Sequence, residues 1–470
     1  MMSSSEDGTI KLWDLGTGRL RYSAVSTSKG EWLAWTPEGF FAGTEWATHH
    51  FVDIVDEMKV VGIDQVYNIY YRPDLVEAKA EGKDISAFAI GLDLATLLHS
   101  GGLPPQVEIE TPAAPSTTTE RDITLRFKVT DQGGGVGTVT IFNGDTPLVV
   151  SEGTRGLKVI GVGAPKDSSQ LALGISYESV LTLHGGANTI AVSAYNAKGT
   201  IESNRASVEV VYGTTIVTKP SLYILAVAVQ KYRDRDLALK YSVDDATALS
   251  TALQKQAGAL YQGVHVATLF DDQVTKEGFS SAFDALSKVV APDDVFVLYF
   301  AGHGVTNAQD GEYYFLPVNF RYNGAESIAE QGISKNDILA NMTKITAQKS
   351  LLLFDTCNSG SLLKDSPVGR GIEEKTAVDR LKHAVGRALI VASGDDQSAL
   401  EGYENHGVFT YVLLQGLSGA AVVGDSRYIS VTGLTSYVVN TVPDLTYKKW
   451  GYEQDPQSEL PKQDFPLVSR

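Results

Sequence analysis

Cysteine is nearly absent: the chain of 470 residues holds a single one, Cys357, so no intrachain disulfide can form. Long apolar runs are missing too. The longest, LYILAVAV at 222–229 and VFVLYFA at 295–301, fall far short of the ~18 residues of a membrane-spanning helix, which argues against a membrane protein. The start, MMSSSEDGTIKLWD, has neither a basic segment nor an apolar signal core, so the expected location is cytoplasmic. Positive charge is scarce, with 39 Lys and Arg against 56 Asp and Glu. The net charge of -17 disfavours nucleic acid, whose recognition needs a basic footprint, and favours a basic partner. There is no Walker loop, no glycine-rich dinucleotide fingerprint after a strand, and no HExxH or CxxC spacing. No obligatory cofactor or metal is therefore expected. What is present, 43% hydrophobic and 20% charged residues, describes folded globular material. At roughly 150 residues per domain the length suggests about three domains.

The first of these is expected at 1–100. DGTIKLWD at 7–14 ends an alternating stretch on Trp13-Asp14, the cue of a propeller blade, and it occurs once. A blade cannot bury its faces alone. The stretch reads as a WD-repeat remnant of a truncated array, and GEWLAWTPEGFFAGTEWATHHFVDI at 30–54 resembles the segment that follows such arrays. Proline, threonine and small residues crowd GGLPPQVEIETPAAPSTTTE at 101–120, a linker composition that marks a boundary. Short alternating runs follow, separated by Gly, Asn and Asp turns: ITLRFKVTD, GTVTIFNG, YESVLTLHGG, NTIAVSAYNAKG and ASVEVVYG. They predict an all-β sandwich at 101–218, which resembles immunoglobulin-like modules without the disulfide and is expected to serve as spacer or partner-docking module.

From 219 to 470 the texture changes to strands apolar throughout, alternating with helical patterns near 243–256 and 275–290. That predicts an α/β domain with a mostly parallel sheet flanked by helices. In such sheets functional groups gather beyond the carboxyl ends of the strands. His303 follows VFVLYFA in FAGHG, and Cys357 follows SLLLF in FDTCNSG, so both are expected just past neighbouring strand ends. A thiol with a pKa near 8.5 is only a few per cent thiolate at neutral pH, and a nearby imidazole activates it and later protonates a leaving amine. His303 and Cys357 are the candidate catalytic dyad. The backbone amides of Gly304 and Cys357 are the candidate oxyanion donors, the glycines around His303 letting substrate backbone approach.

YFAGHG and DTCNSG resemble the histidine and cysteine motifs of the caspase-like cysteine peptidases, nearest to bacterial orthocaspases and metacaspases. The resemblance spans about 220–470 and takes in YSVDDATALSTAL, VASGDDQSALE and HGVFTYVLLQGL. True caspases carry Gln-Ala before the cysteine, whereas here Asp355 stands two residues before it. Metacaspases cut after arginine or lysine, so the resemblance implies protein or peptide substrates with basic residues. A guanidinium pocket needs convergent carboxylates. Asp355, Asp245 at the start of the helix after the first strand, and Asp395 and Asp396 after ALIVAS are the candidate substrate-binding residues. The resemblance leaves calcium open, since some metacaspases hold it in acidic loops such as one formed by Asp395 and Asp396, although a twelve-residue calcium loop is absent.

Self-processing is also expected. Val-Gly-Arg occurs twice after Cys357, ending at Arg370 and at Arg387. Arg387 leads straight into ALIVAS, while Arg370 sits among Pro367, Gly369 and Gly371 in an expected exposed loop, so cutting should favour Arg370. Lys375 and Arg380 are secondary, in the run IEEKTAVDRLKH that reads as helical. Two rival readings are a noncatalytic caspase-like scaffold and an acyl-transfer enzyme using the same dyad.

Overall fold

The computed structural model describes residues 1–56, 59–89, 102–150, 157–160, 174–213, 219–307, 310–358, 372–392, 401–451, 453–460 and 463–470. Asp395, Asp396 and Arg370 lie outside the described residues, and for Cys357 the backbone alone is described.

The chain opens with five antiparallel strands in sequence order: Met2–Ser4, Thr9–Trp13, Leu20–Ser26, Trp32–Trp35 and Phe41–Gly43. Trp13 and Asp14 have local work here. The indole donates to Ser3 Oγ, while Asp14 accepts from the amides of Gly16 and Thr17 and pairs with Arg21 at 2.6 Å, closing the turn. Behind the sheet, Leu75 and Val76 of a helix at Pro73–Ala80 pack with Phe40, Phe41 and Tyr70. Helices thus complete this core.

Sheets of four and five strands then face each other across Leu125, Phe127, Ile141, Ile190 and Val192. Residues 101–120, expected to be a linker, contribute two of these strands, Gln106–Thr111 and Ser116–Thr118. QVEIET does alternate, but it is a half-exposed edge strand flanked by prolines, and its composition outweighed its period.

The C-terminal part is an α/β sandwich. Its strands β1 (Leu222–Ala228), β2 (Val264–Phe270), β3 (Val295–Asn307), β4 (Glu312–Phe315), β5 (Ile333–Ser334), β6 (Lys349–Asn358) and β7 (Ala388–Val391) are joined by helices α1 (Ser242–Ala257), α2 (Lys276–Leu286), α3 (Lys335–Met342) and α4 (Ile372–Val385). A hairpin of β8 (Glu401–Tyr403) and β9 (His406–Gly407), helices α5 (Val408–Gln415) and α6 (Val431–Trp450), and β10 (Gln457–Glu459) follow. The main sheet runs β2-β1-β3-β6-β7-β10, parallel except for β10. Alternation divides its side chains between two cores. Phe296, Leu298, Phe300, Leu352 and Phe354 meet α2, α3 and α4, while Val297, Tyr299, Leu351 and Leu353 meet α1, α5 and α6.

Candidate active site

The strand ends are not where the sequence suggested. Rather than stopping before FAGHG, β3 continues through His303 to Asn307, because β4 folds back and pairs with Gly304 to Asn307. Strand β6 extends beside it through Cys357. His303 and Cys357 are direct register partners on adjacent parallel strands, a spacing of about 4.8 Å between backbones.

His303 is held from three directions and is 2% exposed. Its backbone N–H donates to the Tyr232 hydroxyl at 2.9 Å, and that hydroxyl donates in turn to Leu316 O. The Tyr232 ring lies against the imidazole with centroids 5.0 Å apart. Nε2 lies 2.8 Å from Leu237 O, and since a carbonyl only accepts, Nε2 carries the proton. A neutral ring then has its lone pair on Nδ1. Burial lowers the imidazole to about 4, the Leu237 bond opposing this, so the ring is neutral at neutral pH. Tyr232 and Leu237 both come from the loop after β1, which Asp271 holds by accepting from the amides of Gln230 and Lys231.

The glycines beside His303 have a different cause from the expected one. A Cβ on Gly304 would stand 2.6 Å from Tyr313 Oη and 3.0 Å from Thr356 Oγ1; one on Gly302 would stand 2.9 Å from Tyr232 Oη. On that side the space is filled by packed tyrosines, which require glycine, instead of being left open to substrate.

Two of the four acids converge. Asp245, in the first turn of α1 and 3% exposed, accepts from His406 Nδ1 on Oδ1 at 2.5 Å and from Gly407 N–H on Oδ2 at 2.9 Å. Asp355 Oδ2 accepts from Thr410 Oγ1 at 2.6 Å and from Tyr299 Oη at 3.1 Å. Burial, then Asp355 and Asp245, raise the Tyr299 phenol well above its ordinary range, so it serves as a neutral donor. The two carboxylates face one point: a Cβ on Gly407 would be 3.2 Å from Asp245 Oδ2 and 3.4 Å from Asp355 Oδ2. Gly407 caps α5, whose positive end is thus turned to both acids. Like charges this close disfavour each other's ionised form unless donors or a cation compensate. A guanidinium is such a cation.

Sequence reasoning missed Tyr232, Leu237, Tyr299, His406, Gly407 and Thr410. HGVFTYVLLQGL contains three of them and had no role assigned beyond resemblance. Leu237 acts through its carbonyl and leaves no trace in residue type.

The family model for the caspase domain matches residues 223–465, just over half of the chain. The model for a bacterial Ig domain matches 105–158, which begins inside the stretch that had linker composition. Among curated proteins nothing matches. Among solved structures, the crystal structure of protein GSU0716 from Geobacter sulfurreducens is 16% identical at a TM-score of 0.37, covering 53% of this chain and 97% of that one. No described helix is long and apolar enough to cross a membrane. By its parallel sheet with helices on both faces and the extent of the model match, the chain belongs to the caspase domain family.

Proposed function

We propose that the chain is a cysteine endopeptidase that cuts after arginine or lysine, with Cys357 as nucleophile and His303 as base. The observation that carries this reading is the register pairing of His303 with Cys357, joined to an imidazole whose Nε2 is committed to Leu237. In the reaction the Cys357 thiol proton passes to His303 Nδ1 as sulfur bonds to the substrate carbonyl carbon. The carbonyl electron pair moves to oxygen, for which the amides of Gly304 and Cys357, both within the paired stretch of β3 and β6, are the candidate donors. Collapse expels the amine, which takes the proton from His303, and water repeats the sequence on the thioester to return the free thiol. Burial keeps His303 neutral until the thiol proton arrives, which favours general-base attack over a standing ion pair.

The converging pair Asp245 and Asp355 supports a pocket for a basic side chain. Asp395 and Asp396 remain candidates for the same pocket, or for calcium. Arg370 is the proposed self-cleavage site. The alternatives fare worse: Arg387 is 5% exposed and Arg380 equally so, the latter inside α4 and bound to Glu312 and Tyr71 O. We further propose three modules at 1–100, 101–218 and 219–470, the first a WD-repeat type element and the second an Ig-like docking module, in a cytoplasmic protein.

Hydrolysis of arginine-containing peptides by wild type, Cys357→Ala, His303→Ala and the double variant tests the dyad. Each single variant should abolish turnover and the double should be no worse, because residues acting as one unit do not contribute additively. Full turnover by Cys357→Ala would end the peptidase reading, and a folded wild type that cleaves no peptide would favour the scaffold.

A further inference from the structure

We infer that His406 and Gly407 form the specificity-determining third wall of the pocket. Gly407 keeps the space between the two carboxylates open, and His406 is the positioning residue that sets the Asp245 carboxylate for a guanidinium. This rests on the basic-pocket reading above and adds residues that it did not assign. Two donors to Asp245 are consecutive in the chain, one on each oxygen: His406 Nδ1 at 2.5 Å and Gly407 N–H at 2.9 Å. A donor on each oxygen, one from a side chain and one from the next backbone amide, helps to fix the carboxylate plane. The pair is itself held, because β9 is hydrogen-bonded to β8 and runs directly into the cap of α5.

The imidazole stands at the rim, its side chain 24% exposed, while the Asp245 carboxyl is 4% exposed. His406 is thus the more exposed member of the pair. Any side chain at 407 would place carbon 3.2 and 3.4 Å from the two acids, in the volume a guanidinium needs. Bidentate recognition of a planar cation depends on carboxylate orientation, whereas binding of a neutral urea of the same shape gains little from it. Loss of His406 should hence cost discrimination more than general peptide binding.

Calorimetry on the full chain carrying Cys357→Ala reads this without turnover, using one peptide with arginine at the scissile position and its citrulline twin. The parent should prefer arginine by tenfold or more, and adding His406→Ala should reduce that preference by about tenfold. His406→Asn, whose side-chain amide nitrogen can stand near the place of Nδ1, should restore most of it, which a merely structural role would not do. Gly407→Ala should remove the arginine preference, and it decides alone if His406→Ala does not fold. An arginine preference that survives both His406→Ala and Gly407→Ala, or equal losses in His406→Ala and His406→Asn, overturns the inference while leaving the pocket standing. A parent with no preference for arginine overturns the pocket and the inference together.

Discussion

Acid should destabilise the caspase-like domain through His303 in a way that one substitution removes. An unfolded histidine titrates near 6.5, whereas burial holds His303 at about 4. Between these values the unfolded chain binds a proton that the folded chain refuses, so folding stability falls as pH falls through the window and is unaffected above it. Each pKa unit corresponds to about 1.4 kcal/mol. The folded state should thus lose about 1 kcal/mol at pH ~5.5 and about 2 to 3 kcal/mol at pH ~4.5, levelling off at about 3 to 4 kcal/mol below pH ~4. His303→Gln can keep a donor to Leu237 O and cannot titrate, so it should lack this component. Hydrogen exchange of the β3 amides, Val295–Asn307, measured against urea at neutral and acid pH, separates this domain from the others. Carboxylates elsewhere titrate in both proteins and cancel in the difference. Parallel pH profiles for wild type and His303→Gln would refute the argument, since they would mean that the imidazole is not held neutral by burial.

Asp355→Asn should lower turnover of arginine peptides by roughly two to four powers of ten, the equivalent of about 3 to 5 kcal/mol for a buried charge left without its partner. Equal loss on peptides with a neutral residue at that position, read by kcat/KM, would show that the acid supports structure instead. Arg387→Ala should cost about 3 kcal/mol and lower the melting temperature by roughly 6–12 °C, seen by calorimetry. Its guanidinium, lowered to about 9 by burial, donates to Met342 O, Ile345 O and Ala347 O around the end of α3 and to Ser350 Oγ, and alanine would remove all four bonds and leave a buried void, although Met342 O keeps the Ile345 N–H and Ala347 O keeps the Ser350 hydroxyl. Purified wild type should slowly yield a new amino terminus at Gly371, while Cys357→Ala stays intact. Terminal sequencing that found cutting after Arg380 or Arg387 would contradict the burial argument.

Much of the C-terminal fold was legible because its strands are apolar throughout and its helices carry a separate period, as VFVLYFA and YSVDDATALSTAL show. Local pattern reports burial on both faces, and a parallel sheet is the structure that demands it. His303 and Cys357 stood out for similar reasons, a reactive residue type beside glycine after an apolar run. Where those strands ended was not legible: the extension of β3 past His303 depends on β4 returning to pair with it, and pairing between separated segments has no local signature. The edge strand at Gln106–Thr111 was obscured in the same way, its prolines and half-exposed pattern reading as linker. The convergence of Asp245 and Asp355 on Gly407 joins segments 52 to 162 residues apart in sequence, and Leu237 contributes only a carbonyl that every residue possesses. Local pattern was enough to name the class of sheet and the residue types available for chemistry; which of them meet depends on how distant segments pack, because backbone groups and sheet register carry no residue-specific mark.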